Sequence, residues 1–210
     1  MSAAVVGLVV GDDPSAWSAI GFTVDGDRLA VGSVDVRLVG DHGGRGVLGW
    51  TLCASSDGDR PAAIDGIPTE WSDTPPRAIS VVHPNGVDGL DHVVVMTPDV
   101  DRTVRACTEL AMVARRERLA GTERHPMRQV FVRHGEVIIE IVGPRDAPSE
   151  PTGPATLWGL ACNSADLDAT AAHLGDRLGS VRAAVQDGRR IASLRHAEVG
   201  ISVPMAFMSR

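Results

Sequence analysis

The chain has 210 residues, 43% hydrophobic and 22% charged, with 27 acidic against 20 basic side chains and a formal net charge of −7. Such a composition can bury a substantial core, and its acidic balance argues against nucleic acid or an anionic membrane as partner. All basic residues are arginine, which excludes Schiff-base chemistry and a Walker A lysine.

The opening stretch MSAAVVGLVV has no basic flank, so it is not expected to be a signal peptide. No run approaches the roughly 18 apolar residues of a membrane span, and a cytoplasmic location is expected. Ala4–Val10 reads as a strand, Asp13-Pro14 as a helix start, and Val34–Gly40 as a strand resembling Val137–Gly143. Leu48–Asp57 resembles Trp158–Asp166, with Cys53, Ser55 and Asp57 matching Cys162, Ser164 and Asp166. It reads as an isolated first strand, so residues 1–57 form a degenerate copy of the units after residue 88. Residues 58–87 carry Pro61, Pro68, Pro75, Pro76 and Pro84 and read as a connector strapped over the surface.

From residue 88 the chain repeats itself. Asp99, Asp101 and Thr103 match Asp166, Asp168 and Thr170, each set beginning a helix. A hydroxyl (Thr97, Ser164) is the expected N-cap, with carboxylates in the first turn facing the helix dipole. Val100, Val104 and Cys107 are answered by Leu167, Ala171 and Leu174, the spacing of a half-buried helix. Further on, Arg128, Arg133, His134, Glu136 and Val137 correspond to Arg190, Arg195, His196, Glu198 and Val199. Each copy reads as strand (90–96, 156–162), helix, strand (113–119, 181–185) and hairpin (128–133 with 136–142, 190–195 with 198–203). His134 and His196 fall at the tight turns. The unit is βαβββ, repeated over 88–144 and 155–208, within an α+β fold. Three cysteines without a CxxC pair suit neither a disulfide framework nor a zinc site, and Cys107 and Cys162 read as small core residues.

Tandem βαβββ units opening on Gly89-Leu90-Asp91-His92-Val93-Val94-Val95, followed by a Thr-Pro-Asp helix start, resemble the vicinal oxygen chelate superfamily. That group includes glyoxalase I, extradiol dioxygenases, methylmalonyl-CoA epimerase and bleomycin resistance proteins. The resemblance implies curved mixed sheets wrapped around a cavity, in which a divalent ion holds two adjacent substrate oxygens. It places His92 and Glu140 at metal-ligand positions of the clearest unit. Their counterparts would be Gly159 and Ser202 in the second unit and positions near Val6 and Arg37 in the N-terminal copy. Those supply no comparable ligand. His83, Gln129, an alternative pairing of the N-terminal copy, or a second chain could complete the set. The cofactor is accordingly either one divalent ion (Fe, Mn, Ni, Co or Zn) or none.

The resemblance implies two alternative functions. One is a metal-dependent lyase, isomerase or dioxygenase acting on a small oxygen-rich molecule. The other is a metal-free binding or sequestering protein of the bleomycin-resistance type. A homodimer is expected from the superfamily. Gln129, Phe131 and Arg133 share one strand face by period two, so Phe131 could pack a ligand and Arg133 clamp its carboxylate or phosphate. Alternatively, Arg133 and Arg195 brace their hairpins against Glu136 and Glu198. Trp158 could stack on a ligand or belong to the core. Likewise, His92 and Glu140 could be a fold-signature histidine and an arginine-paired strand carboxylate. The Arg115-Arg116-Glu117-Arg118 run reads as an exposed strand face.

Overall fold

The computed structural model describes residues 3–54, 60–77, 79–133, 135–147, 149–150 and 153–210. The first half builds a six-stranded sheet. Strand β1 (Ala3–Val10) runs into helix α1 (Pro14–Ala19), where Asp13 accepts from the Ser15 amide as N-cap and Pro14 occupies the first turn. Strands β2 (Arg28–Val31) and β3 (Val34–Leu38) form a hairpin, and β3 lies parallel to β1. Strand β4 (Val47–Ala54) pairs antiparallel with β1. Two strands from the expected connector, β5 (Ala63–Ile64) and β6 (Ile67–Ser72), complete the sheet, with β6 parallel to β4. Thus β4 is not an isolated strand but opens a second, helix-less unit. Its periodicity is visible once folded, in buried Ile67 and Thr69 around exposed Pro68; the prolines mask it in the sequence. Ser55 and Asp57 lie outside the described residues.

The second half forms an eight-stranded sheet. Its first unit comprises β7 (Val87–Met96), α2 (Val100–Glu109), β8 (Ala114–Thr122), β9 (His125–Arg133) and β10 (Ile138–Pro144). The other comprises β11 (Thr156–Ser164), α3 (Leu167–Leu174), β12 (Arg182–Ala183), β13 (Arg190–Ser193) and β14 (Met205–Ser209). The strand order is β12-β13-β14-β11-β7-β10-β9-β8. At its centre β7 and β11 run antiparallel, with Val93 opposite Leu160. The two units are therefore related by a local two-fold.

Two details depart from the sequence reading. The N-caps are Asp99 and Asp166, whose carboxylates reach amides of the first turn. Thr97 and Ser164 instead make buried hydroxyl pairs with Thr103 and Thr170, both at 2.7 Å. The last strand of the second unit is 205–209, not 198–203. Residues His196–Val199 make a 3-10 turn closed by Gly200 at φ 77°, which carries the chain past the expected hairpin. Ser202, displaced from the sheet, ties the halves together. Its hydroxyl donates to buried Asp12 at 2.6 Å and accepts from the Gly46 amide at 2.6 Å. One hydrophobic cluster, including Trp17, Trp50, Val93 and Phe207, runs through both sheets. Among the described residues no helix is long and apolar enough to cross a membrane.

Candidate functional site

The eight-stranded sheet curls until its two edges face each other. Arg116 on β8 and Arg182 on β12, at opposite ends of the strand order, line one cavity of about 380 Å³. The floor of that cavity carries His92 from β7 and Glu140 from β10, and Phe131, Ile138, Ile191 and Met208 make an apolar wall. The volume lies within the range of small-molecule sites.

The acid–base pair on the floor belongs to a chain of polar contacts. Nε2 of His92 is 3.2 Å from Oε2 of Glu140, whose Oε1 accepts from Gln129 Nε2 at 2.7 Å. Arg118 donates through Nε to Gln129 Oε1 and stands 5.8 Å from the Phe131 ring centroid. On the other side, Nδ1 of His92 meets Asp91 Oδ2 at 2.8 Å, and Asp91 Oδ1 accepts from Arg189 at 2.7 Å. Arg189 is fixed in turn by Asn163, at 2.7 Å, and by the Ser209 carbonyl, also at 2.7 Å. Burial works against ionisation of Asp91, but the hydrogen bonds and charges of His92 and Arg189 outweigh it and hold the carboxyl below its ordinary value. An ionised carboxylate only accepts, so Nδ1 of His92 donates and Nε2 is left facing Glu140 and the cavity.

Asp91 reaches its sequence neighbour because β7 bulges. Ala161 lies opposite His92 and Cys162 opposite Leu90, leaving Asp91 as the extra residue. The same device occurs in all four first strands, with Val6, Leu48 and Trp158 as extra residues in β1, β4 and β11. The residue after each bulge is Gly7, Gly49, His92 or Gly159. At Gly49 and Gly159 an added Cβ would come within 3.0 Å of the Pro68 carbonyl and 2.8 Å of the Pro204 carbonyl. Two units thus keep a glycine where the chain at the start of the last strand crowds in, a third keeps Gly7 where Thr51 of β4 does, and one opens that position to a histidine. Register along the last strands equates Glu140 with Arg37, Glu70 and Ala206. The expected counterpart Ser202 is thereby replaced by Ala206. Only the third unit carries both groups.

The structure brings His92, Glu140, Phe131 and Arg133 together on the cavity surface. Gln129 lies behind Glu140 as its hydrogen-bond donor. Trp158, thrown out by its bulge, is 51% exposed and is not among the lining residues. Glu136 does not brace Arg133; it accepts from Ser33 at 2.9 Å. Arg195 and Glu198 do approach each other, at 3.8 Å. His83 is no hidden ligand. Its ring is buried, accepting from the Thr23 amide and donating to the Ala30 carbonyl. His134 lies outside the described residues, and His196 binds the Ile201 carbonyl. Burial pushes the Cys107 and Cys162 thiols up to about 12, as inert core groups.

Sequence reasoning missed the arginines. Arg115, Arg116 and Arg118 on β8 line the cavity together with Arg133 and Arg182. A bulge at Arg115 lets two consecutive arginines take part, since Ala114 opposes Val132 while Arg116 opposes Phe131. The alternation of Arg116 and Arg118 was the available signal.

Residues 91–192 match the family model of the Glyoxalase/Bleomycin resistance protein/Dioxygenase superfamily. This stretch, just under half of the chain, is similar to that superfamily. The glyoxalase-type fold extends over the whole chain in solved structures. A triple mutant of 4-hydroxymandelate synthase from Streptomyces coelicolor aligns with a TM-score of 0.68 at 15% identity, over 100% of this chain and 93% of that one. A xylose isomerase-like TIM barrel/4-hydroxyphenylpyruvate dioxygenase fusion protein gives 0.67 at 12%, over 100% and 50%. An extradiol ring-cleaving dioxygenase from B. fuscum gives 0.60 at 13%, over 100% and 72%. No curated protein matches the sequence.

Against the divalent ion that the glyoxalase superfamily implies, the donor set of this cavity falls short. Two strong donors, His92 and Glu140, share the floor, with Gln129 behind Glu140, and five arginines surround them. Among the described residues no group of three or more His, Cys, Asp or Glu side chains converges. Transition-metal sites of the usual kind draw three or more protein donors.

Proposed function

We propose that the half-barrel of the second sheet binds a small, oxygen-rich organic molecule without the help of a metal ion, as a binding or sequestering protein does. The observation that carries this reading is the cavity itself: an apolar wall around a single imidazole–carboxylate pair, with glycine at the equivalent position of the other three units. The family-model match and the whole-chain fold likeness support it without identifying a ligand.

A second reading has one observation in its favour. Metal-bound imidazoles commonly donate their remaining N–H to a carboxylate, as His92 does to Asp91. One divalent ion on His92 and Glu140, completed by Gln129 and ligand oxygens, would make the protein a metal-dependent lyase, isomerase or dioxygenase.

Metal content of the purified protein separates the two readings, with melting temperature read before and after chelation and on adding Mn, Fe(II), Co, Ni or Zn. The first reading expects no stoichiometric metal and no ion-specific shift. Near-stoichiometric metal that disappears in a His92→Ala/Glu140→Ala variant would replace it with the second.

A further inference from the structure

The arginines around the cavity are concentrated against the charge of the molecule as a whole. Five of the chain's 20 basic residues line this one site, while the net charge is −7. None of the five has a counter-charge among the described residues. Among the described residues no carboxylate lies within ion-pair distance of Arg115, Arg116, Arg133 or Arg182, and Arg118 is held by an amide. Elsewhere many arginines are paired, among them Arg128 with Asp101 and Glu117, Arg189 with Asp91, and Arg190 with Asp168, although Arg37, Arg45, Arg105 and Arg124 likewise have no such partner among the described residues. An arginine fork matches carboxylate and phosphate geometry, and a concave, partly apolar setting strengthens its field. The positive groups also come from both sides of the opening, Arg116 and Arg133 on one wall and Arg182 on the other.

We infer that the ligand of this cavity is an organic dianion, with an apolar or aromatic body against Phe131 and Met208 and two acidic groups, carboxylate or phosphate, spread between the opposing arginines. This rests on the binding reading above and names the class of molecule. Glu140 accepts from Gln129 and is the one acidic side chain among the lining residues, against five arginines, so the floor does not cancel the rim.

The test is a matched panel: succinate, isophthalate and phenyl phosphate, each beside its uncharged counterpart (dimethyl succinate, dimethyl isophthalate and phenol). Binding is followed by calorimetry and by the NMR signals of the His92 ring and the Met208 methyl. The expected result is saturable binding of at least one dianion, at least tenfold tighter than its neutral counterpart and weakening as salt is raised. Arg133→Gln and Arg182→Gln should each weaken it several-fold with the fold intact, whereas Arg145→Gln, paired with Asp146 at the surface, should not. Neutral compounds that move the same signals with equal affinity would overturn the charge assignment and leave the cavity as a binding site. If neither series moves those signals, the binding reading falls with it. Dianion binding that leaves them still and is insensitive to Arg133 and Arg182 would also overturn the inference.

Discussion

Asp91 and His92 are consecutive in a strand, yet their side chains meet at 2.8 Å. In a regular strand they would point to opposite faces. The bulge that makes Asp91 the extra residue removes that restriction. Arg189 then fixes the carboxylate from behind, so the imidazole has one tautomer and one orientation.

Replacing Asp91 by Asn should therefore act at two levels. It removes the anion shared by His92 and Arg189, both largely buried, at a cost of roughly 2–4 kcal/mol in unfolding free energy. An amide can also donate as well as accept, so the tautomer is no longer dictated. The ring nitrogen shifts of His92 should change from one dominant Nδ1–H form to a mixture. A variant with unchanged nitrogen shifts would show that the bulge alone orients the ring.

The same carboxylate shapes the acid limb of stability. Asp91 titrates below its ordinary 3.8 in the folded chain, so its contribution is present above that value and lost as pH falls through the lower folded one. Unfolding free energy should decline steeply below about pH 4 in the wild type and less steeply in Asp91→Asn. Some slope will remain, because Asp13 and Asp168 are also held low by their hydrogen bonds from Ser15 and Arg190. Parallel acid limbs for the two proteins would contradict the pairing.

The glycines after the bulges give a prediction of a different kind. A Cβ at Gly159 would sit 2.8 Å from the Pro204 carbonyl, a backbone atom that cannot swing away, whereas one at Gly89 would meet nothing within 4 Å. Gly159→Ala should cost about 1–3 kcal/mol, and Gly89→Ala should lie within about 0.5 kcal/mol of wild type. Chemical denaturation of the pair decides it. Equal stabilities would mean that the last strand yields easily, and that glycine at this position owes nothing to crowding.

The sequence repeat made the order of the second sheet legible, because the Asp-x-Asp-x-Thr helix starts and apolar strands recur at one spacing. The superfamily resemblance made His92 and Glu140 candidates, and alternation along one strand added Phe131 and Arg133. The repeat failed where the backbone departs from it. The match of Arg195-His196 to Arg133-His134 placed the last strand several residues early, since a 3-10 turn and Gly200 intervene. Periodicity assumes strict alternation, so it could not show a bulge setting Asp91 beside His92 or Arg115 beside Arg116. For the same reason the β8 arginines read as solvent-facing although the sheet curls them onto the cavity. Strands Ala63–Ile64 and Ile67–Ser72 were hidden by prolines that suit a short edge.

His83 tests the connector that those prolines obscured. Its ring accepts from the Thr23 amide at 3.0 Å, donates to the Ala30 carbonyl at 2.8 Å and packs edge-on against Phe22, with no charged group among these contacts. Burial disfavours the charged ring and lowers its pKa from the ordinary 6.5, the Ala30 carbonyl opposing this more weakly. The unfolded chain therefore takes up a proton first as pH falls. The stability due to neutral His83 is complete above about 6.5 and is lost as pH drops toward the folded value, by at most about 1.4 kcal/mol per pH unit. Urea unfolding at pH 7.5, 6.5 and 5.5 should show this decline in the wild type. His83→Gln should be less stable at pH 7.5 by roughly 1–3 kcal/mol, because the Thr23 and Ala30 groups lose well-placed partners, and should show a flatter profile over the same interval. A wild-type profile as flat as that of the variant would mean that the ring is protonated in place, with its Nδ1 released from the Thr23 amide.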